Sequence, residues 1–187
     1  NVALILGDNF FHGQNITYKL TESVKLSKGA KVFLHPVKNP SAYGVATIKN
    51  NNKILKIIEK PKNPKSNLAV TGLYFFDNKV INFSKKLKPS KRKEIEITDL
   101  LNKYLKKRQL KAEFIGRGGS WLDAGSIGDF YKASNYVNAV ENRQGLKIAC
   151  IEEIAFNKKW ISKKEIINSI KFHGKCDYSK YLKDLIK

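Results

Sequence analysis

The stretch VALILGDN, residues 2–9, predicts how the fold begins and where its chemistry lies. Five apolar residues in a row, at positions 2–6, are typical of a strand buried on both faces, as in a parallel sheet. The run ends at Gly7, and the carboxylate of Asp8 follows at once. Ligands of open α/β sheets collect beyond the carboxyl ends of the strands, so Asp8 could hold a divalent cation against a phosphate. A turn-capping role fits Asp8 equally well.

Downstream of this stretch, helix-type and strand-type patterns alternate. A loop at residues 10–15 leads into an amphipathic helix that starts at Ile16 and ends before Gly29. Residues 43–48 and 54–58 predict a hairpin. Further strands are predicted at residues 31–37, 70–76 and 112–115. Further helices are predicted at 79–87, and at 99–107 with Thr98 as its cap. Two more helices are predicted after Ser126 and after Ser162, which forms a capping box with Glu165. Strands that alternate with helices favour an α/β fold with a parallel sheet and a hairpin insertion.

The composition, with 42% hydrophobic residues, is that of a soluble globular protein. No stretch reaches the roughly 18 apolar residues of a membrane span, and the first residues show no signal-peptide pattern. The two cysteines form no motif, so a cytoplasmic protein without membrane contact is predicted. Because the sequence contains no Met and opens inside a predicted strand, we expect its beginning to be missing.

The net charge of +20 raises the question of nucleic-acid binding. Only four of the 36 basic residues are Arg, the usual reader of base edges, and the lysines are spread along the whole chain. This distribution favours solvated surfaces over a nucleic-acid interface, and no nucleic-acid partner is predicted.

Two acids, Asp8 and Asp123, occupy similar settings, one after a strand and one in a glycine-flanked turn. If the fold brings them together, they form a two-carboxylate Mg²⁺ site that waits for substrate phosphates. A simple turn role for Asp123 is the competing interpretation.

Glu59 and Lys60 precede Pro61 at the end of a strand, where a Lys can neutralise charge on a phosphoryl group. A solvated Lys fits the same pattern.

Six segments together resemble a known family: LGDNFFHG (6–13), AYGVA (42–46), EKPKNPKSNLAVTGLYFFD (59–77), EIEITDL (94–100), GRGGSWLDAGS (116–126) and ENRQGLKIACIEEIAF (141–156). Their order and spacing are similar to those of the glucose-1-phosphate thymidylyltransferases, which are sugar nucleotidyltransferases. GDN and EKP are shared by sugar nucleotidyltransferases in general. Residues 143–156 resemble the thymidylyl enzymes in particular.

The resemblance implies a Rossmann-like mixed sheet flanked by helices, with a hairpin insertion and C-terminal helices. It implies a partial nucleotidyltransferase core with the sugar-binding part over residues 1–140, and a helical extension for oligomer and regulatory contacts over 141–187. It also implies the reaction of dTTP with α-D-glucose 1-phosphate, with Mg²⁺, to give dTDP-glucose and pyrophosphate, on the route to dTDP-rhamnose and cell-surface polysaccharides. A homotetramer is expected.

By the same resemblance, Asp8 and Asp123 would bind Mg²⁺, with Asp8 counted among the catalytic residues. Lys60 and Arg92 would contact the sugar phosphate and stabilise the transition state. The remaining sugar contacts would come from Tyr43, Gly44, Glu59, Val70 and Tyr74. Gly13 and Arg117 would belong to a regulatory nucleotide site.

Three departures from the family pattern qualify these expectations. The glycine-rich loop G-x-G-T-R-L-x-P, which grips the triphosphate, is absent, so the chain would cover the C-terminal two-thirds of the family and fail to bind dTTP productively. Lys93 replaces a residue that is usually small, and residues 12–14 vary a loop near the regulatory site.

Three other functions stay open. The first is a uridylyl- or other nucleotidyltransferase, because the base-selecting residues would lie in the missing part. The second is a basic nucleic-acid-binding protein, whose affinity would fall steeply with salt. The third is a non-catalytic protein that binds sugar phosphate or self-associates.

Overall fold

The computed structural model describes all 187 residues, and the chain divides into two compact units, Asn1–Asp129 and Phe130–Lys187. The strands are β1 (Val2–Ile5), β2 (Asn9–Gly13), β3 (Ala30–Pro36), β4 (Gly44–Lys49), β5 (Lys53–Glu59), β6 (Leu68–Phe76), β7 (Leu110–Phe114) and β8 (Gly119–Asp123). The helices are α1 (Ile16–Val24), α2 (Val80–Ser84), α3 (Ile97–Lys106), α4 (Ile127–Gln144), α5 (Ile151–Asn157), α6 (Lys163–His173) and α7 (Asp177–Leu185). The predicted functional boundary at residues 140 and 141 stays a prediction.

A mixed six-stranded sheet forms the centre of the first unit. Its order is β5-β4-β6-β3-β7, and β1 also pairs with β6. Only β3 and β7 are parallel; the other pairs are antiparallel. The mixed sheet agrees with the resemblance, whereas the parallel sheet with a hairpin insertion, expected from the alternation of elements, is wrong apart from the hairpin and the β3–β7 pair. The reason is that β6 runs antiparallel to all three of its neighbours, which alternation of elements cannot reveal.

The two faces of this sheet carry separate apolar clusters, because alternate residues of a strand point to opposite faces. From β6, Val70, Tyr74 and Phe76 join the cluster that packs on α3, around Leu101 and Tyr104. Ala69, Leu73 and Phe75 join the other cluster, which includes Phe33, Leu26 and Trp121. Trp121 anchors β8 against the sheet in this way.

One edge of β6 is shared by two strands and left open between them. β4 pairs with it at Ala69, and β1 pairs with it from Leu73 to Phe76. β3 occupies the opposite edge of β6. Residues 70–72 therefore have no strand partner on the shared edge, apart from one bond from Leu6 N–H to the Gly72 carbonyl oxygen, 2.9 Å long. This gap positions the candidate site.

The prediction for β1 was wrong in its burial and its pairing. The strand forms, but it pairs with β6 in the antiparallel direction. All four of its residues are exposed, and Ile5 is 57% exposed. β1 pairs with β6 alone, and an antiparallel strand at an edge keeps its faces open unless another layer covers them.

Other local predictions had mixed outcomes. The helix from Ile16, the hairpin of β4 and β5, and the Ser162–Glu165 capping box are confirmed. The loop predicted at residues 10–15 is wrong, because β2 forms there by pairing with β8. Thr98 does not cap α3: the cap residue is Glu96, and the buried Thr98 lies within the first turn.

The second unit is helical. α5, α6 and α7 pack around Cys150, Ile166 and Leu182. Tyr178 on α7 donates a hydrogen bond to Glu152 on α5. No helix of the protein combines the length and apolar character needed to cross a lipid bilayer.

Candidate active site

Asp8 and Asp123 meet at one end of the β2–β8 ribbon. Asn9 lies directly opposite Asp123 in the ribbon, and Ala124 N–H donates to the Asp8 carbonyl oxygen at 2.7 Å. A β-carbon placed on Gly125 would be 3.5 Å from Asp8 Oδ2 and 3.8 Å from Asp123 Oδ2. Two carboxylate oxygens from distant parts of the sequence therefore face the same point.

The other oxygen of each carboxylate is held by a hydrogen bond. Asn9 Nδ2 donates to Asp8 Oδ1 at 2.7 Å, and the Tyr43 hydroxyl donates to Asp123 Oδ1 at 2.8 Å. Burial, and then the bond to Asp123, raises the pKa of Tyr43 to about 12. Tyr43 thus stays a protonated donor at neutral pH, and one oxygen of each acid is left for a ligand.

This donor set fits a hard divalent cation. Mg²⁺ is usually bound by one or two carboxylates, and water and substrate phosphates supply the remaining ligands. No cluster of three or more His, Cys, Asp or Glu side chains that could hold a metal ion occurs in the protein. A cation between Asp8 and Asp123 would therefore remain open to substrate oxygens.

A cavity of about 230 Å³ adjoins these carboxylates, beside the gap on β6. Eight residues singled out in the sequence line it: Asp8, Tyr43, Gly44, Glu59, Lys60, Val70, Tyr74 and Asp123. The structure thus brings together most of the residues to which the resemblance assigned sugar or metal contacts.

Glu59 and Lys60 both face this cavity because the strand stops between them. β5 ends at Glu59, and Lys60 adopts a left-handed backbone with φ of 38°. Lys60 N–H donates to the Tyr43 carbonyl oxygen at 3.0 Å, which fixes this turn. Strand alternation would otherwise send the two side chains to opposite faces.

Glu59 is a half-buried acid in the lining of the cavity. Burial raises its pKa, the charge of Glu96 adds to the rise, and a bond from Thr98 and the charges of Lys60 and Arg92 partly oppose it. Gly44 is required nearby, since a β-carbon there would be 2.8 Å from Thr98 Cγ2 and 3.3 Å from Glu59 Oε2. Glu59 presents an acceptor in a confined space.

Arg92 is placed beside the cavity but does not line it. Its Nη1 lies 3.7 Å from Glu59 Oε1 and 3.5 Å from Glu96 Oε1, and its Nη2 lies 2.8 Å from Glu94 Oε2. Three glutamates therefore hold the guanidinium in this structure.

Gly13 and Arg117 lie away from this cavity, toward the other end of the ribbon. Gly13 pairs with Gly119, and with φ of 135° it would place a β-carbon 2.5 Å from the Gly118 carbonyl oxygen. Arg117 is exposed in the turn before β8. Their regulatory role stays a prediction.

A sequence profile described as nucleotidyl transferase matches residues 1–140, three-quarters of the chain. The chain belongs to the nucleotidyl transferase family. All the residues that converge on the cavity fall within the matched range.

Curated relatives of this nucleotidyl transferase share the same enzyme name. It is 44% identical over 187 residues to the glucose-1-phosphate thymidylyltransferase of Neisseria meningitidis, covering all of this chain and 65% of the relative. It is 41% identical over the same length to the enzyme of that name from Mycobacterium tuberculosis, again covering 65% of the relative. The chain thus spans just under two thirds of the length of these relatives.

Solved structures of nucleotidyltransferases have a similar fold. A Bacillus anthracis protein described as a glucose-1-phosphate thymidylyltransferase, in complex with sucrose, is 44% identical, with a TM-score of 0.61 over 72% of this chain and 53% of that one. A UDP-glucose pyrophosphorylase complexed with UDP-glucose is 28% identical, with a TM-score of 0.63 over 72% of this chain and 54% of that one.

Sequence reasoning missed several lining residues of this nucleotidyl transferase. Asn9, Gly72, Thr98 and Trp121 all border the cavity. Asn9 follows Asp8 directly and Trp121 lies in the motif that carries Asp123, so the motifs held a signal for these two. Thr98 was interpreted as a helix cap, and nothing local in the sequence marks Gly72 as a neighbour of Asn9.

Proposed function

We propose that the whole protein transfers a thymidylyl group from dTTP to α-D-glucose 1-phosphate, giving dTDP-glucose and pyrophosphate. One observation carries the proposal: the two carboxylates Asp8 and Asp123 converge beside a cavity that also presents Glu59 and Lys60. The names of the relatives at 41% to 46% identity support the choice of substrates.

Asp8 and Asp123 would hold Mg²⁺ through the oxygens that face Gly125. When bound, the ion neutralises negative charge on the substrate phosphates and helps to orient them. Asn9 and Tyr43 keep the two acids in place by donating to their other oxygens.

Lys60 would supply the second positive charge at the reacting phosphates. A phosphate oxygen of the sugar phosphate attacks the α-phosphorus of dTTP, and the bond to the β-phosphate breaks so that pyrophosphate leaves. Such transfers depend chiefly on alignment and on neutralising spread-out negative charge. The Lys60 ammonium forms no ion pair in this structure and lines the cavity, which suits that role. Arg92 would join it after leaving its glutamates.

The sugar would be recognised by hydrogen bonds inside the cavity. Glu59 accepts from hydroxyl groups, and the backbone at Gly44 and Val70 borders the gap on β6. Tyr43 and the buried Tyr74 form walls. A site built to bond hydroxyls discriminates well, because a mismatched sugar leaves buried polar groups unpaired.

The test uses the full-length protein with Mg²⁺, glucose 1-phosphate and either dTTP or UTP, with pyrophosphate release as the readout. We expect turnover with dTTP and much slower turnover with UTP. The reverse preference would establish the uridylyl alternative, which the structural similarity to a UDP-glucose pyrophosphorylase supports. No turnover with either nucleotide would refute the proposal.

Several finer points belong to the same proposal. The cofactor would be Mg²⁺, the product would enter dTDP-rhamnose synthesis, and the protein would act in the cytoplasm. Exposed apolar side chains in the second unit, including Ile151 and Phe172, support self-association, and the resemblance supplies the expectation of a tetramer. Light scattering of the full-length protein measures its mass directly, and a mass other than that of four chains would exclude the tetramer.

A further inference from the structure

Trp121 contacts a single side-chain oxygen that organises the site. The indole is 8% exposed and lies in β8, two positions before Asp123. Its Nε1–H donates to Asn9 Oδ1 at 2.6 Å, and the same oxygen accepts from Gly72 N–H at 3.0 Å. Two donors of fixed position thus converge on the Asn9 oxygen.

These donors decide which way the Asn9 amide is turned. An N–H group can bond only to the oxygen end of a carboxamide, and the amide is planar, so its nitrogen must point the other way. That nitrogen donates to Asp8 Oδ1 at 2.7 Å. The indole therefore fixes the orientation of Asp8 through Asn9.

The backbone at Gly72 is fitted to this arrangement. A β-carbon there would lie 2.5 Å from Asn9 Oδ1 and 2.6 Å from Asn9 Cγ, closer than real contacts allow. Only glycine leaves room for the Asn9 amide against β6, so the amide is held from two sides.

The same indole also supports the second carboxylate. The Tyr43 ring packs edge-on against Trp121, with centroids 5.1 Å apart at an interplanar angle of 61°. The Tyr43 hydroxyl bonds to Asp123 Oδ1. Each acid thus has one hydrogen-bond donor, and both donors contact Trp121.

We propose that Trp121 is a positioning residue that aims Asp8 and Asp123 at one common divalent cation, acting through Asn9 and Tyr43. This inference rests on the proposed function only in assuming that the two acids bind a cation. Groups that orient metal ligands typically contribute about 10- to 100-fold to metal affinity.

The test measures Mn²⁺ binding to the full-length protein by electron paramagnetic resonance, without substrate. Trp121→Phe keeps an aromatic ring and removes the N–H donor, and we expect Mn²⁺ affinity to fall roughly tenfold. Trp160→Phe is the matched control, because Trp160 is largely exposed and lies in the second unit. It should bind Mn²⁺ like the unmodified protein.

Turnover gives a second readout that a merely structural role would not move. For Trp121→Phe, the Mg²⁺ concentration for half-maximal rate should rise, and the rate should recover at high Mg²⁺. If Trp121→Phe fails to fold, Tyr43→Phe tests the branch that acts through Tyr43, since it removes the donor to Asp123 and keeps the ring contact with Trp121. We expect Mn²⁺ affinity to fall about tenfold, and affinity within twofold of the unmodified protein would overturn the inference.

The outcomes separate this inference from the proposed function. If Asp8→Asn abolishes Mn²⁺ binding while folded Trp121→Phe binds within twofold of the unmodified protein, Trp121 has no positioning role and the metal site stands. If Asp8→Asn leaves Mn²⁺ binding unchanged, the metal site and this inference both fail.

Discussion

Arg92 and Glu94 lie side by side in the loop before α3, with Nη2 2.8 Å from Oε2. Glu59 and Glu96 lie near the other terminal nitrogen of Arg92, Nη1, at 3.7 Å and 3.5 Å. A phosphate that is to use Arg92 must draw it away from these acids.

Replacing Glu94 with Gln should therefore improve sugar-phosphate binding. The Glu94 side chain is 59% exposed, so its pair with Arg92 is screened by solvent and contributes little. We expect the KM for glucose 1-phosphate to fall about two- to fivefold with kcat unchanged. Glu22→Gln, which removes an exposed pair with Lys25, is the control. An unchanged or higher KM in Glu94→Gln would show that this pair does not restrain Arg92.

Replacing Lys60 with Ala should remove charge stabilisation in the transition state. We expect kcat to fall about 100- to 1000-fold, the usual loss for one aligned electrostatic donor. Lys62→Ala is the matched control, because Lys62 is exposed and does not line the cavity. Steady-state kinetics of the two variants make the comparison, and equal losses in both would argue against a specific role for Lys60.

Replacing Glu59 with Gln should weaken the binding of glucose 1-phosphate and stabilise the folded protein at neutral and higher pH. Burial raises the pKa of Glu59 above its ordinary value of 4.5, so the folded protein holds this proton more tightly than the unfolded chain. The stability that comes from this proton is present below about pH 4.5 and is lost as pH rises through the raised pKa. A neutral Gln avoids that loss.

Thermal unfolding at about pH 4 and about pH 8 tests this sign. The Tm of Glu59→Gln relative to the unmodified protein should be higher at the upper pH, while its KM for glucose 1-phosphate rises. A Tm difference that is the same at both values would mean that the carboxylate is not destabilised by burial.

The parts of the fold that could be predicted rest on short-range signals. The period of α1, the asparagines between β4 and β5, and the Ser162–Glu165 box act within a few residues of each other. β2 could not be predicted, because its strand character comes from pairing with β8, more than 100 positions away. The exposure of β1 likewise depends on what covers it, which periodicity does not report.

The candidate site also divides into features that short-range motifs mark and features that depend on contacts between distant parts of the sequence. Motifs singled out residues that the structure brings to the cavity, including Asp8, Lys60 and Asp123, but spacing could not show that the two acids meet. Their meeting depends on the β2–β8 pairing. The three glutamates around Arg92 and the bond from Trp121 to Asn9 are also tertiary contacts, so no local pattern predicts them.

If Asp8 and Asp123 share one divalent cation, the stoichiometry of Mn²⁺ binding to the full-length protein and its variants shows it most directly. We expect one site per chain, weakened more than about 100-fold by Asp8→Asn and equally by Asp123→Asn. The exposed Asp99, changed to Asn, serves as control and should bind normally. Binding that survives either substitution of the two acids, or is lost with only one of them, would contradict a shared ion.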